Sequence, residues 1–293
     1  MVDESIKEMK PLEQAGTRVS RAIHGAVLDG GEQARDVADV LHGTWLGHPL
    51  HPVLTDVTIG AWTLGAAFDA VGLFANDDFS RRVGDQLTAV GTASALPTAI
   101  TGLADFSTIP KPAVTVGSVH AMANSVGLAL YLLSLRDRSR GRRGRGLLFS
   151  TLALTAATAG AWLGGKLVYG ERVGVDHRDD FSGLDDWTPV LDETELPADV
   201  AGCVQVEVKG KGVLLHRDGS GIHAIGSVCA HAGGPLEKGS IDGPYVECPW
   251  HQSVFDLRDG SVKHGPATLP QPSFETRVRG GMIEIRPPRG KVS

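Results

Sequence analysis

The chain has 293 residues, room for two domains, with 34 acidic against 28 basic side chains and a net charge of −6. That balance offers no basic surface for nucleic acid, and three cysteines are too few for a disulfide framework. Hydrophobic residues make up 42% of the whole but crowd into the first half, so the halves are read in turn.

Residues 1–10 are charged and lack the apolar core of a cleavable signal peptide. Residues 16–46 set Val19, Ile23, Val27, Val37, Leu41 and Trp45 among polar residues. This pattern predicts amphipathic helices lying on a membrane surface or on a helical bundle.

Four apolar windows follow, near 53–75, 83–106, 113–135 and 147–169. Each is long enough to cross a bilayer core, which takes about 20 residues. Few charges interrupt them and their polar faces are thin, which argues against a soluble bundle of Ala-rich helices. Pro97 is expected to kink the second, and Gly160 with Gly164 permits close helix contact in the fourth. The connection between the third and fourth windows carries Arg136, Arg138, Arg140, Arg142, Arg143 and Arg145, and that between the first and second carries Arg81 and Arg82. Positive-inside reasoning puts both in the cytoplasm and both termini outside. Arg142-Arg143, directly before the last window, resembles a twin-arginine signal for export of folded, cofactor-loaded domains.

Six ionisable residues fall in one leaflet of such a bundle: His48, His51, Asp56, Asp105, His120 and Lys166. Ionisable groups inside a membrane are expensive and usually functional. Three readings stand open: a histidine pair ligating a b-type haem, a quinone or proton-handling pocket, or a network that fixes helix packing. Asp69 and Asp85, near the other end, are expected to cap helices or face water. The run His48-Pro49-Leu50-His51-Pro52 followed by four spans resembles a family of bacterial four-helix membrane proteins over 47–170, and that resemblance implies no activity.

Residues 171–187 are charged and irregular and read as a linker, with His177 exposed. Beyond them, 204–208, 213–217, 222–225 and 282–285 have strand character between Gly-rich turns, predicting an antiparallel β domain. Two motifs lie within it, Cys229-Ala230-His231 and Cys248-Pro249-Trp250-His251, with 16 residues between them. A structural zinc site also uses Cys and His, but favours other spacings. One Cys and one His per loop suits a [2Fe–2S] cluster with Cys on one iron and His on the other. The flanks are Ala232-Gly233-Gly234-Pro235-Leu236, Gln252-Ser253-Val254-Phe255-Asp256 and Gly265-Pro266-Ala267.

With these flanks, 188–288 resembles a Rieske domain of the ferredoxin type. The resemblance implies Cys229, His231, Cys248 and His251 as ligands, with the histidines at a tip open to a redox partner. Two neutral imidazoles in place of two thiolates raise the potential above that of plant-type ferredoxins. Rieske proteins of cytochrome bc complexes carry an extra, disulfide-linked Cys in each loop. Here those positions hold Gly234 and Trp250, which implies the lower-potential branch. Ser253 is placed to donate a hydrogen bond to the cluster, and Cys203 reads as a small buried hydrophobe.

The expected fold class is α+β multidomain: an N-terminal four-helix transmembrane bundle plus a C-terminal all-β Rieske domain. The expected divisions are 1–46 (amphipathic), 47–170 (transmembrane), 171–187 (linker) and 188–289 (Rieske). The expected function is a membrane-anchored Rieske iron–sulfur protein of a bacterial cell membrane. It passes single electrons between redox protein partners, with its Rieske domain on the outer face. The alternatives are a ferredoxin-like donor subunit for a Rieske oxygenase and a quinol- or haem-coupled oxidoreductase subunit. No catalytic mononuclear iron site is expected.

Overall fold

A computed structural model describes residues 6, 8–197 and 203–288. Residues 1–5, 7, 198–202 and 289–293 lie outside that description, and with them most of the charged N-terminal stretch. The chain forms two compact units. One joins the chain up to Asp29 with Pro49–Val173, and the other joins Gly30–His48 with the chain from Gly174 onward.

In the first unit α1 (Lys10–Asp29) is followed by four long helices: α3 (Leu50–Phe74), α4 (Asp78–Ser107), α5 (Val114–Ser139) and α6 (Arg143–Tyr169). These four are long and apolar enough to cross a membrane. Asp77 caps α4, one carboxylate oxygen accepting the Phe79 N–H and the other the Ser80 N–H. The helix runs on through Pro97 without a break. α1 packs on this bundle: Ser20 donates to Ser107 O (2.9 Å), and a Cβ on Gly16 would clash with Ser118 and Val114.

The four spans form two hairpins, α3–α4 and α5–α6, in matching register. Three pairs join α3 to α5. The rings of His51 and His120 lie 6.4 Å apart edge-on. Trp62 stacks on Tyr131 at 4.1 Å. Arg138 donates to Asp69 Oδ1 at 2.8 Å. On each helix the members are separated by eleven and then seven residues. Those spacings are close to three and two helical turns, so each set forms one stripe. The pairs also occur in the same order on both helices, so α3 and α5 run parallel.

The partner helices repeat the relation. A Cβ on Gly102 of α4 would press on the His51 ring, and one on Gly164 of α6 would press on the His120 ring. Likewise Gly84 lies against Asp69, and Gly146 against Arg138.

At the Asp69 end the structure departs from expectation. Asp69 is buried within an ion network rather than capping or facing water. The Arg138 guanidinium, 4% exposed, also donates to Asp85 Oδ1 (2.6 Å), to Ser134 Oγ through Nε (3.1 Å) and to Ser150 Oγ (3.0 Å). Arg143 bonds Asp85 and Asp69, both at 3.0 Å. Two Arg and two Asp balance, which is the condition under which buried charge is tolerated. Arg145 lies 3.1 Å from Asp137, so part of the Arg-rich run serves internal pairing.

The second unit is all β apart from α2 (Gly31–His42) and short 3₁₀ turns. A six-stranded sheet has the order β1-β10-β9-β4-β3-β2, and a four-stranded sheet β5-β6-β7-β8. The strands are β1 (Thr188–Asp192), β2 (Cys203–Val208), β3 (Lys211–Asp218), β4 (Gly221–Gly226), β5 (Ser240–Asp242), β6 (Tyr245–Glu247), β7 (Val254–Asp256), β8 (Val262–His264), β9 (Ser273–Arg279) and β10 (Met282–Arg286).

β3 alternates with period two and is buried on both faces. Val213 and Leu215 enter one core with Ala224, Ile283 and Ile285. Leu214, paired with Ile225, enters a second core with Leu236, Phe255, Cys229 and Cys248. Each fully buried aliphatic side chain of this kind contributes about 1.5–3 kcal/mol.

Two segments expected elsewhere belong to this unit. The supposed linker places Leu184 in the first core, with Phe181 edge-on to Phe274 at 4.9 Å. Helix α2, expected on a membrane or on the bundle, lies along β8. Asp39 accepts the Gly265 N–H (2.7 Å) and bonds His264 Nδ1 (2.8 Å), while Arg35 donates to Glu247 (3.1 Å). Amphipathicity says that a helix has an apolar face, not which surface covers it. Here acidic residues on the polar side meet a buried histidine and select the β domain.

Candidate metal centre

The two motif loops have one backbone design. The first follows β4, where Val228 bridges Pro235. The Cys229 N–H donates to Gly234 O (2.9 Å) and the Gly233 N–H returns to Cys229 O (2.9 Å). The second joins β6 to β7. There the Cys248 N–H donates to Ser253 O (2.8 Å) and the Gln252 N–H returns to Cys248 O (3.1 Å). In each loop the residue four after the cysteine is left-handed, Gly233 at φ +77° and Gln252 at φ +58°. One turn geometry, used twice, sets a cysteine at the root and a histidine on the arch.

The two loops bring the four predicted ligands into sulfur and imidazole pairs. Cys229 and Cys248 are buried and face each other. Their shared S–H···S contact, together with burial, holds the Cys229 thiol far above its ordinary range. The Cys248 thiol is pushed down, because it accepts that S–H and the backbone N–H groups of Trp250 and His251. The N–H groups of His231 and Ala232 point at the Cys229 sulfur. The His231 and His251 rings sit edge to face at 4.9 Å, both half-buried. Among the described residues, the one group of three His, Cys, Asp or Glu donors within 4.8 Å of one another is Asp36, Asp39 and His264. The four cysteine and histidine donors therefore do not converge on one point.

Gly234 lets the loops approach. A Cβ there would lie 2.8 Å from Cys248 Sγ and 3.2 Å from the Trp250 ring, itself 54% exposed. Glycine and indole thus fill the positions where a disulfide would need two cysteines, and Cys203, Cys229 and Cys248 are all free thiols. Gly234→Ala is expected to displace the Cys248 sulfur and cost about 1–3 kcal/mol. Gly233→Ala meets no atom closer than 3.7 Å and is expected to cost about 1–2 kcal/mol through its left-handed backbone alone. Unfolding midpoints of the two variants, with cluster content measured beside them, check this: only Gly234→Ala should lower content.

Residues that spacing did not point to complete the support. The buried Gln271 amide, oriented to satisfy both ends, donates to Val228 O (3.0 Å) and accepts the Ala230 N–H (2.8 Å). The His177 N–H donates to Ala230 O (3.2 Å), and its ring lies against Gly233. This residue is half-buried on the first loop, not exposed as expected. Ser253 Oγ accepts the Ala267 N–H (3.0 Å), tying the Gly265-Pro266-Ala267 turn to the second loop. A polar residue held between two prolines, Pro270-Gln271-Pro272, is the one sequence signal that could have found this support.

Of the candidate membrane residues, the fold brings together His51 and His120. Asp56 is exposed on another face of α3, and His48 is exposed and belongs to the second unit. Asp105 is half-buried near the end of α4, and Lys166 lies over the Trp162 ring at 5.6 Å.

A family model described as the Rieske [2Fe-2S] domain matches residues 186–275, and one described as a predicted membrane protein (DUF2231) matches 47–177. Over 107 residues the chain is 31% identical to the anthranilate 1,2-dioxygenase ferredoxin subunit of Burkholderia cepacia, covering 35% of this chain and 93% of that relative. Over 82 residues it is 33% identical to apoptosis-inducing factor 3 of Mus musculus, covering 28% of this chain and only 14% of that relative. A solved structure, the ferredoxin of carbazole 1,9a-dioxygenase from Nocardioides aromaticivorans IC177, is similar at 29% identity, 36% of this chain, 100% of that chain and a TM-score of 0.32.

Proposed function

The chain belongs to the Rieske [2Fe–2S] proteins of the ferredoxin type, its electron-transfer domain joined to a four-helix membrane domain, and from that premise we propose how its residues hold and use the cluster. Cys229 and Cys248 are the sulfur ligands, and His231 and His251 the imidazole ligands. The observation that carries this assignment is the sorting of donors into two pairs. A tetrahedral zinc site gathers four donors around one ion at about 2.0–2.3 Å, so every donor neighbours every other. Here no three donors gather, as a two-metal centre requires. A bound [2Fe–2S] cluster supplies a one-electron carrier.

The protein's own groups set its properties. Four backbone N–H groups aimed at the two sulfurs stabilise negative charge and raise the potential. The half-buried histidine edges and the exposed Trp250 ring give a redox protein a surface to touch. The four spans hold the head at a bacterial plasma membrane, and the Arg-rich ends of α5 and α6 favour the cytoplasmic side, leaving the head outside. Ferredoxin components of dioxygenase systems among the relatives favour a second reading, in which the head serves an oxygenase or a reductase from the inner side. Quinone remains a partner of the proposal only.

The test is elemental and spectroscopic. The purified full chain should carry about two iron and two acid-labile sulfide per molecule and give a Rieske-type EPR signal on reduction. Zinc in place of iron, in protein handled without oxygen, would end the assignment. Sidedness is read by labelling Gly219→Cys in the head and Gly144→Cys at the start of α6 with a membrane-impermeant thiol reagent. The first should react from outside and the second only from inside. The reverse pattern selects the inner-side reading.

A further inference from the structure

We infer that His51 and His120 are the two axial ligands of one b-type haem bound between the helix hairpins of the membrane unit. The inference is independent of the iron–sulfur head.

It rests first on the state of the two rings. His51 Nδ1 lies 2.8 Å from Thr98 O, and His120 Nδ1 lies 2.8 Å from Gly160 O. A carbonyl oxygen can only accept, so in both rings Nδ1 carries the proton. In a neutral imidazole this leaves Nε2 as the unprotonated nitrogen with an in-plane lone pair. A backbone carbonyl that fixes the tautomer and orients the ring is the usual support of a metal-bound histidine. The Asn124 amide nitrogen lies 3.4 Å from His120 Nδ1 and 3.3 Å from Nε2. An atom equidistant from both ring nitrogens sits over the ring face, so it does not occupy the Nε2 lone pair.

It rests second on spacing. Two imidazoles on opposite sides of one ion, each with its nitrogen at about 2.0–2.1 Å, put their ring centroids roughly 6 Å apart. The observed separation is 6.4 Å, with the ring planes near perpendicular at 84°. Direct hydrogen bonding between the rings is not available, because both Nδ1 protons are spent on carbonyls.

Third, the ligand count selects the cofactor. Among the described residues no third His, Cys, Asp or Glu joins this pair to make a three-donor group. Two protein ligands are too few for a zinc or copper ion in a closed site. They suffice for an iron whose other four positions belong to a porphyrin. The two histidines come from separate hairpins, so a planar group between the hairpins meets one from each side. Gly102 and Gly164, at equivalent places on α4 and α6, leave room for the rings where a side chain would push them: a Cβ would lie 2.7 Å from His51 Cε1 and 3.2 Å from His120 Cε1.

The full chain, produced with ample haem precursor and purified in detergent, should contain about one non-covalent haem per molecule by the pyridine haemochrome assay. Its spectrum should be low-spin and six-coordinate. His51→Ala and His120→Ala should each lose the haem or turn it high-spin, and His48→Ala should leave it unchanged. The Rieske EPR signal, read on the same samples, reports whether the head assignment stands by itself, and helix content in detergent reports whether the membrane unit of each variant is folded. Near-infrared magnetic circular dichroism of the unmodified chain reads bis-imidazole ligation directly and does not depend on any variant folding. The inference is overturned if the chain takes up no haem even when titrated with haemin, if the haem stays six-coordinate and low-spin in both single variants, or if the pair binds stoichiometric zinc or copper instead.

Discussion

Cys229→Ser should strip the chain of its [2Fe–2S] cluster, and His251→Ala should do the same from the other pair. Cys229 is 1% exposed at the root of the first loop, pressed against the second sulfur. A serine oxygen there is a harder donor with a much higher pKa, and it does not replace a thiolate on iron. Alanine at 251 removes one of the two imidazoles of the pair. The expected loss is complete: the reduced EPR signal and the visible absorption vanish, and iron falls to background. Purified Cys229→Ser protein with full-strength Rieske EPR would refute the ligand set. Because both loops belong to the second core of the β domain, the apo variants should also unfold earlier. A Cys203→Ser control, at a partly buried thiol outside the loops, should keep the signal.

Arg138→Leu should destabilise the membrane unit by about 3–5 kcal/mol, the usual penalty for breaking a buried ion pair, because Arg143 alone is then left to face two carboxylates. The guanidinium serves Asp69, Asp85, Ser134 and Ser150 together, and Asp69 is almost as buried as Arg138 itself. Asp85→Asn should cost far less, about 0–1 kcal/mol, because Asp85 is 39% exposed and water screens what is lost. Unfolding in detergent, followed by helix content, separates the two. Equal effects would show that Asp69 is not the buried member on which the network depends.

The cluster loops were legible in the sequence because their ligands are local: each motif fits in one turn, and the flanking glycine and proline are the turn chemistry itself. The four spans were legible because a bilayer demands a length and a composition, and 50–169 meets both. What escaped depends on contacts between distant residues. Nothing near Asp39 announces that it binds His264 and Gly265, more than two hundred residues on. Nothing near Asp69 shows that its partner is Arg138, since a lone carboxylate close to a helix end reads equally well as a cap. Phe181 and Leu184 were hidden by the aspartates around them, although two large apolar residues in so acidic a stretch are a signal that it packs somewhere. The parallel register of α3 and α5 escaped because two of its three matched positions differ in identity: Trp62 answers to Tyr131, and Asp69 to Arg138.

That last mismatch has a bearing on how such a bundle can be assembled. Two identical copies of one hairpin could supply facing histidines and stacked aromatics, since each of those contacts is satisfied by like meeting like. They could not supply the contact at 69 and 138, where like would set two carboxylates or two guanidiniums against each other in a dry interior. The electrostatics at that level require two different hairpins carrying opposite signs, and one polypeptide supplies both. The same asymmetry forbids a single hairpin from pairing with its own twin in the lipid.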